Sequence, residues 1–228
     1  MIVGNGLIAS GFLNSSEDFT DYVIFASGVS NSKETSLKAF KREKDLLKKT
    51  LYENQNSKFI YFSSILADSS TNEYYIHNLK MERFIKKNSK NYIIFKLPQI
   101  IGNIGNKNNL VNHLVKLINK GKKIKVYSDI NRAIIDVRDV VDIVNYCKDK
   151  ITNDVVKFSH IEKVSVIYIS LCIADILDKT INLKISKIHN ELYNWNTPNH
   201  VIVDEAIKHI GIKQRGYTNN ILKKYVKQ

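Results

Sequence analysis

Short apolar runs of strand length alternate with helical stretches through the first half of this chain, and that alternation constrains the fold more than any other feature. "MIVGNG" at the start, "DYVIFAS" at 21–27, "KFIYFSS" at 58–64 and "NYIIFKL" at 91–97 are the apolar runs. Between them lie "LIASGFL", which can begin a helix, residues 36–54 with Leu37, Phe40, Leu47 and Leu51 at helical spacing, and residues 74–87. Strands buried on both faces read as unbroken apolar runs, and parallel strands need helical crossovers. The pattern predicts an α/β fold, a doubly wound parallel sheet of Rossmann-like type covering residues 1–160.

After Pro98 the texture changes. "NNLVNHLVKLINKG" reads as an amphipathic helix with Asn108 and Asn109 as ordinary N-cap residues, followed by the short strand "KIKVYS" and the helix "VRDVVDIVNYCKD". "DVVKFSH" can return as a strand to the main sheet. Residues 161–228 suggest further helices around one more strand at "NLKISKI", a smaller part capping the core.

The formal charge of +13 favours anionic company. Lysines are spread along the whole chain with no aromatic-interleaved basic block, which argues against nucleic acid and for a phosphorylated small molecule. Apolar stretches such as 164–174 are too short and interrupted to span a bilayer. The start has neither a basic leader nor a cleavage-type site. Cys147 and Cys172 sit in apolar helical runs without metal-ligand spacing, so buried thiols in a reducing cytoplasm are expected and no metal site is.

Gly4-x-Gly6-x-x-Ala9 directly follows the first strand and opens a helix. In that context glycines let the backbone approach a pyrophosphate, and the helix N-terminus supplies N–H donors. A tight strand-to-helix turn without a ligand is the plainer alternative. A dinucleotide site usually adds a second strand ending in an acidic residue that holds the adenosine ribose. Here the second strand ends in Ala26-Ser27-Gly28, and Asp18 and Asp21 lie before it. The adenosine half of the pocket is therefore abbreviated or built differently.

With these segments in order, the chain resembles the extended short-chain dehydrogenase/reductase family of sugar-nucleotide epimerases, dehydratases and reductases. "VGNGLIAS" looks like its glycine turn, "VIFASGVSNS" like the strand and loop beside the cofactor, and "FIYFSSILAD" like the strand delivering a catalytic Ser or Thr. "YYIHNLKMERFI" resembles the Tyr-x-x-x-Lys helix and "FKLPQIIG" the proline loop near the nicotinamide. The stretch from Asn109 through "NRAIIDVRDVVDIV" is similar to the nucleotide-sugar-binding segment.

The resemblance implies NAD or NADP as cofactor and a nucleoside-diphosphate sugar as partner. Gly4, Gly6, Leu7, Ile8 and Ala9 would meet the pyrophosphate, Ala26, Ser27 and Gly28 would pass beside the cofactor, and Pro98 would stand near the nicotinamide. Ser64, or Ser63 as the alternative, would hydrogen-bond the substrate carbonyl, and Tyr74 would be the acid/base. Asn109 and Leu110 would lie along the nucleoside diphosphate, Tyr127 beside its base, and Arg132 on a phosphate, where a guanidinium fork meets two oxygens at once. Residues 99–135 would contribute to the substrate side and 161–228 would be a small substrate-binding cap. The two long helices would offer a homodimer surface.

The family's lysine is the departure. Four residues past Tyr74 stands Asn78, and Lys80 is turned well away from both Tyr74 and Tyr75. That lysine would lower a phenol's pKa by favouring phenolate; Asn78 can donate a hydrogen bond but brings no charge. Reduction of a ketone, which needs a neutral phenol, would suffer less than oxidation of an alcohol. His77, adjacent to Asn78, is expected at the surface or an interface. The readings that follow are reduction of a keto-sugar, epimerisation, and a catalytically impaired binding relative that acts through a partner.

Overall fold

The computed structural model describes residues 1–69, 71–103, 109–187 and 197–226. In chain order these form β1 (Ile2–Val3), α1 (Leu7–Leu13), β2 (Tyr22–Phe25), α2 (Leu37–Glu53), β3 (Lys58–Ser64), α3 (Glu73–Asn88) and β4 (Tyr92–Leu97). They continue with β5 (Gln99–Ile101), α4 (Leu110–Asn119), β6 (Ile124–Tyr127), β7 (Asn131–Arg132), β8 (Ile134–Asp136), α5 (Val137–Cys147) and β9 (Asp154–Lys157). Last come β10 (Val164–Ser165), α6 (Val166–Ile176), β11 (Leu183–Ser186), α7 (Val201–Ile210) and α8 (Tyr217–Val226). Asn108, read as a cap from the sequence, lies outside the described residues.

The long apolar runs are strands because a parallel sheet covered on both faces buries every side chain in them. β1-β2-β3-β4-β9 form that sheet, all neighbours parallel. Side chains alternate between faces. Ile24, Ile60, Phe95, Leu97 and Val156 join Phe12 of α1 and Val140, Val141 and Val144 of α5 in one apolar cluster. Val23, Phe25, Phe59, Tyr61 and Ile94 join Leu47 and Leu51 of α2 and Met81 and Ile85 of α3 in the other. Helices thus wind both faces, as the alternation predicts.

The strand order steps in one direction without a reversal. α1 lies on the face opposite α2 and α3, although all three connect strands displaced the same way. In a parallel sheet this gives the β1–α1–β2 crossover the opposite hand to the two that follow. The arrangement matches a dinucleotide fold of order 3-2-1-4-5-6 from which the second and third strands, both on one side of the first, have been removed. What remains is the glycine strand at the sheet edge, paired with the strand that follows the missing pair.

Two close approaches hold that edge. Gly4 has φ +130°, and a Cβ there would collide with the Ala26 carbonyl oxygen. A Cβ on Gly11 would stand 2.7 Å from Val137 Cγ2, so α1 can press against α5 only through a glycine.

The apolar stripe of α2 is not buried along its whole length. Its buried face runs through Glu43, Leu47, Thr50 and Leu51 with Phe40 half-buried, whereas Leu37, the first helical residue, is 81% exposed. Leu37 precedes the turn that contacts the sheet, and the carboxylate of Glu43 occupies the inward position.

The C-terminal residues interleave with the earlier ones. β5 pairs β8, β11 pairs β6 and β7 pairs β10, while α7 packs on α5 and α8 on α6. The apolar cluster on the α1/α5 face runs on into Val203, Ile207, Ile221 and Leu222. A polar knot fastens α8 to the start of α5. Tyr225 Oη donates to Asp136 Oδ1 at 2.8 Å, Lys224 pairs with Asp136 Oδ2, and Tyr217 Oη accepts from the Asp136 amide while donating to Asp139.

Beneath α3 lies a second polar cluster. Ser63 Oγ donates to Glu82 Oε1 at 2.5 Å, and Lys96 Nζ stands 3.2 Å from Glu82 Oε2 while also pairing with Asp68. Glu82 and Lys96 are each 3% exposed. Removing one member of a buried ion pair leaves the other charge without compensation. Lys96→Met is therefore expected to lower stability by about 3–5 kcal/mol in urea denaturation, with most of the loss recovered in Lys96→Met/Glu82→Gln. A single-variant loss below about 1 kcal/mol would show that the pair does not hold α3 to the sheet.

Candidate functional site

The glycine turn and the first turn of α3 are the two parts of the site. Gly6 caps α1 in extended conformation without a side-chain cap for the first-turn N–H groups, and nothing stands within 4 Å of where its Cβ would be. Open space over uncapped donors fits a pyrophosphate. Leu7 points elsewhere, since a Cβ on Gly102 would meet its Cδ1 at 2.7 Å. Ile8 is half-buried against the α1/α5 cluster.

On the neighbouring strand end, Ala26 N donates to Val3 O, and Arg42 of α2 reaches over to Ser27 O at 3.1 Å. Gly28 is exposed. The pyrophosphate end of a dinucleotide thus has a fitting turn. The adenosine end has neither strands nor a carboxylate at the end of β2 beneath it, because the described sheet stops at β1.

α3 opens with Asn72, whose side chain accepts from Tyr74 N at 2.8 Å and fixes the first turn. Tyr74, Asn78 and Glu82 then fall four residues apart on one face. Asn78 is buried one turn along the helix from Tyr74. Burial pushes the Tyr74 phenol above its ordinary range, the Asn78 amide draws it part of the way back, and the charge of Glu43 adds to the rise. The phenol is thereby held protonated. Lys80 is exposed, away from this face.

The Glu43 carboxylate is 0% exposed and is approached from β3, the loop after β2 and α3. Tyr61 Oη of β3 donates to it at 2.9 Å, and Val29 N from the loop after β2 at 2.8 Å. His77 Nε2 of α3 stands 3.1 Å away, off the line required of a hydrogen bond, with its ring stacked on Phe40 at 4.6 Å. His77 is 6% exposed, which overturns the expectation of a surface or interface residue. The inward face of α3 includes positions 77, 78, 81, 82 and 85, and residue 77 shares it with Met81 and Ile85.

Ser64 ends β3 half-buried, its Oγ accepting from Leu66 N at 3.3 Å, whereas Ser63 is committed to Glu82. Pro98 is half-buried at the junction of β4 and β5. Asn109 caps α4 by accepting from Asn112 N at 2.7 Å, with Leu110 the first helical residue. Asn109 also lines a cavity of about 170 Å³ with Gly102, Asn112 and Tyr225. Tyr127 ends β6 with Lys125 Nζ 5.2 Å from its ring centre. Arg132 lies on β7 and its Nη1 donates to Asn131 O at 3.0 Å.

The structure therefore brings Tyr74 and Asn78 together and adds Glu43, Tyr61 and His77, which sequence reasoning missed. The one signal for Glu43 was its place three residues after Phe40 and four before Leu47, on an otherwise apolar stripe. Among the described residues no cluster of three or more His, Cys, Asp or Glu is arranged to hold a metal, and no helix is long and apolar enough to cross a membrane.

No family model matches the chain, and no curated protein does. Solved structures do. A UDP-N-acetylglucosamine 4-epimerase from Methanobrevibacter ruminantium, in complex with UDP-N-acetylmuramic acid, superposes with a TM-score of 0.71 at 15% identity. The match covers 91% of this chain and 76% of that one. RMD from Pseudomonas aeruginosa, complexed with NADPH, gives 0.61 at 14% identity over 82% of this chain and 78% of that one. A dTDP-glucose 4,6-dehydratase from Bacillus anthracis in complex with NAD gives 0.67 at 11% identity, covering 91% and 71%. The chain has the Rossmann-like fold of these proteins.

Proposed function

We propose that the chain reduces a keto-sugar carried on a nucleoside diphosphate, with NAD(P)H held at the glycine turn through its pyrophosphate and nicotinamide end. The observation that carries this reading is Tyr74, half-buried in the first turn of α3 on the same face as the buried Asn78, with its phenol held protonated by burial. The likeness in fold to sugar-nucleotide enzymes supports the substrate class.

A nicotinamide bound at this turn supplies the hydride. Ser64 hydrogen-bonds the carbonyl oxygen and polarises it, and Tyr74 passes its phenolic proton to the alkoxide that forms there. Asn78 aligns the phenol. Residues 161–228 serve as the substrate-side cap, with Asn109, Leu110 and Tyr127 along the nucleoside and Arg132 on a phosphate. Epimerisation is less well served, because it needs the phenolate as base in its oxidative half and nothing cationic stands at position 78. Asn78 and the missing adenosine platform also favour a second reading, a relative that binds a sugar nucleotide without turning it over.

Tyr74→Phe is expected to slow keto-sugar reduction by about 10²–10⁴-fold with little change in KM. Because the phenol titrates above its ordinary range, reduction by the parent protein should be flat from about pH 6 to about pH 9 and fall only beyond. An equally active Tyr74→Phe would place the chemistry elsewhere. Sugar-nucleotide binding without any turnover would establish the second reading.

For the substrate side, Arg132→Ala should weaken UDP-sugar binding about tenfold or more in calorimetric titration. Unchanged affinity would remove Arg132 from the phosphate.

A further inference from the structure

The two long helices carry charge that the other helices do not. α2 has six Lys or Arg side chains, none of them buried, and α3 has four, all exposed. Of the five acids on the two helices, Glu43 and Glu82 are turned inward and buried, which leaves Asp45, Glu53 and Glu73 outside. A lysine-rich composition does not account for this, because α5, α6 and α7 together hold five acids against Arg138 and Lys208. Packing gathers the charge on one surface. α2 and α3 follow successive parallel strands and lie side by side over one face of the sheet, with Phe40 stacked on His77 at 4.6 Å and Tyr52 edge-on to Phe84 at 6.3 Å. Their outward residues therefore form one basic face. Large apolar side chains stand exposed on the same helices, Leu37 at 81%, Tyr52 at 54% and Ile76 at 39%. Leu37 and Ile76 each belong to the first turn of their helix, and both helices start at the C-terminal edge of the sheet, so the two lie at one end of the face.

We propose that the α2/α3 face docks on the surface of an anionic lipid bilayer, its cations on the headgroup phosphates and carboxylates and Leu37 and Ile76 within the headgroup layer. Charge complementarity selects this occupant over two others. A second copy related by a two-fold axis would set the face against itself, cation to cation. A nucleic acid offers phosphates but nothing apolar for Leu37 and Ile76. Its bases would also find the rings taken up, since Tyr52 and Phe84 pack on each other and Lys48 Nζ stands 5.4 Å from the Phe84 centroid. A bilayer surface supplies both the negative charge and the apolar layer. Eight of the ten cations are lysines, mobile point charges that need no fixed partner geometry and so suit a fluid headgroup layer.

The test mixes the full chain with vesicles of phosphatidylcholine, alone or with about 30% phosphatidylserine, and measures the bound fraction by sedimentation. The parent should bind the mixed vesicles and not the neutral ones, and should be released as salt rises from about 0.1 M to about 1 M. Lys80→Gln/Arg83→Gln/Lys87→Gln should lower the partition coefficient by about tenfold or more, each basic side chain near an anionic leaflet being worth about fivefold. Lys208→Gln/Lys213→Gln/Arg215→Gln removes the same charge from exposed positions off the face and should bind within about twofold of the parent, because charges beyond a Debye length contribute little. Leu37→Ser, at a position already open to solvent, should weaken binding by about threefold or more with no change of charge. Equal binding to neutral vesicles, equal losses in the two triple variants, or a short DNA duplex held more tightly than mixed vesicles at the same phosphate concentration would overturn the proposal. A parent dimer in sedimentation equilibrium that the α3 variant tightens or breaks would put a second copy on the face and overturn it as well.

Discussion

Everything at the candidate nucleotide site follows from the pairing of β1 with β2. The register sets Ile2 opposite Ile24 and Val3 opposite Phe25, and the chain then turns at Gly4 so close to Ala26 that no side chain fits. In a dinucleotide fold this pairing lies in the middle of the sheet, where the strand order reverses and the ligand straddles the gap. Here it lies at the edge. The glycine turn keeps its open face at Gly6, but the half of the platform beyond it is absent from the described sheet. A cofactor would be held from one side.

The second constraint is electrostatic. α3 sets Tyr74, Asn78 and Glu82 in a row, and the ionisable groups at and facing this row are met by different solutions to burial. Glu82 has Lys96 as counter-charge, Glu43 has two hydrogen-bond donors and an imidazole, and Tyr74 remains neutral. A lysine at position 78 would bring a positive charge to the phenol and to Glu43 together. A neutral amide there leaves the phenol in its protonated form. The Glu43 carboxylate of α2 thus joins α2 to β3, to the loop after β2 and to α3.

The sheet was legible because its signal is local. Runs such as "KFIYFSS" and "NYIIFKL" carry their burial in their own composition, and Gly4-x-Gly6 marks the turn between the first strand and helix. The step from α1 directly into β2 also betrayed the shortened adenosine side, although not that β1 would become an edge. Partnerships across the fold were hidden. Nothing near Lys96 in the sequence announces Asp68 or Glu82, and nothing near Glu43 announces Tyr61 or His77, because these pairs form only when the strands lie side by side. His77 was misplaced for a related reason. Periodicity gives the apolar stripe of a helix, but the sheet decides which turns reach it.

We propose that the candidate nucleotide site is the pyrophosphate and nicotinamide half of a dinucleotide site, built at a sheet edge. Competition binding against NADH with its two halves, reduced nicotinamide mononucleotide and ADP-ribose, tests this. The mononucleotide should keep most of the affinity of NADH, within about tenfold, while ADP-ribose competes weakly. ADP-ribose competing as strongly as NADH, with the mononucleotide ineffective, would contradict it.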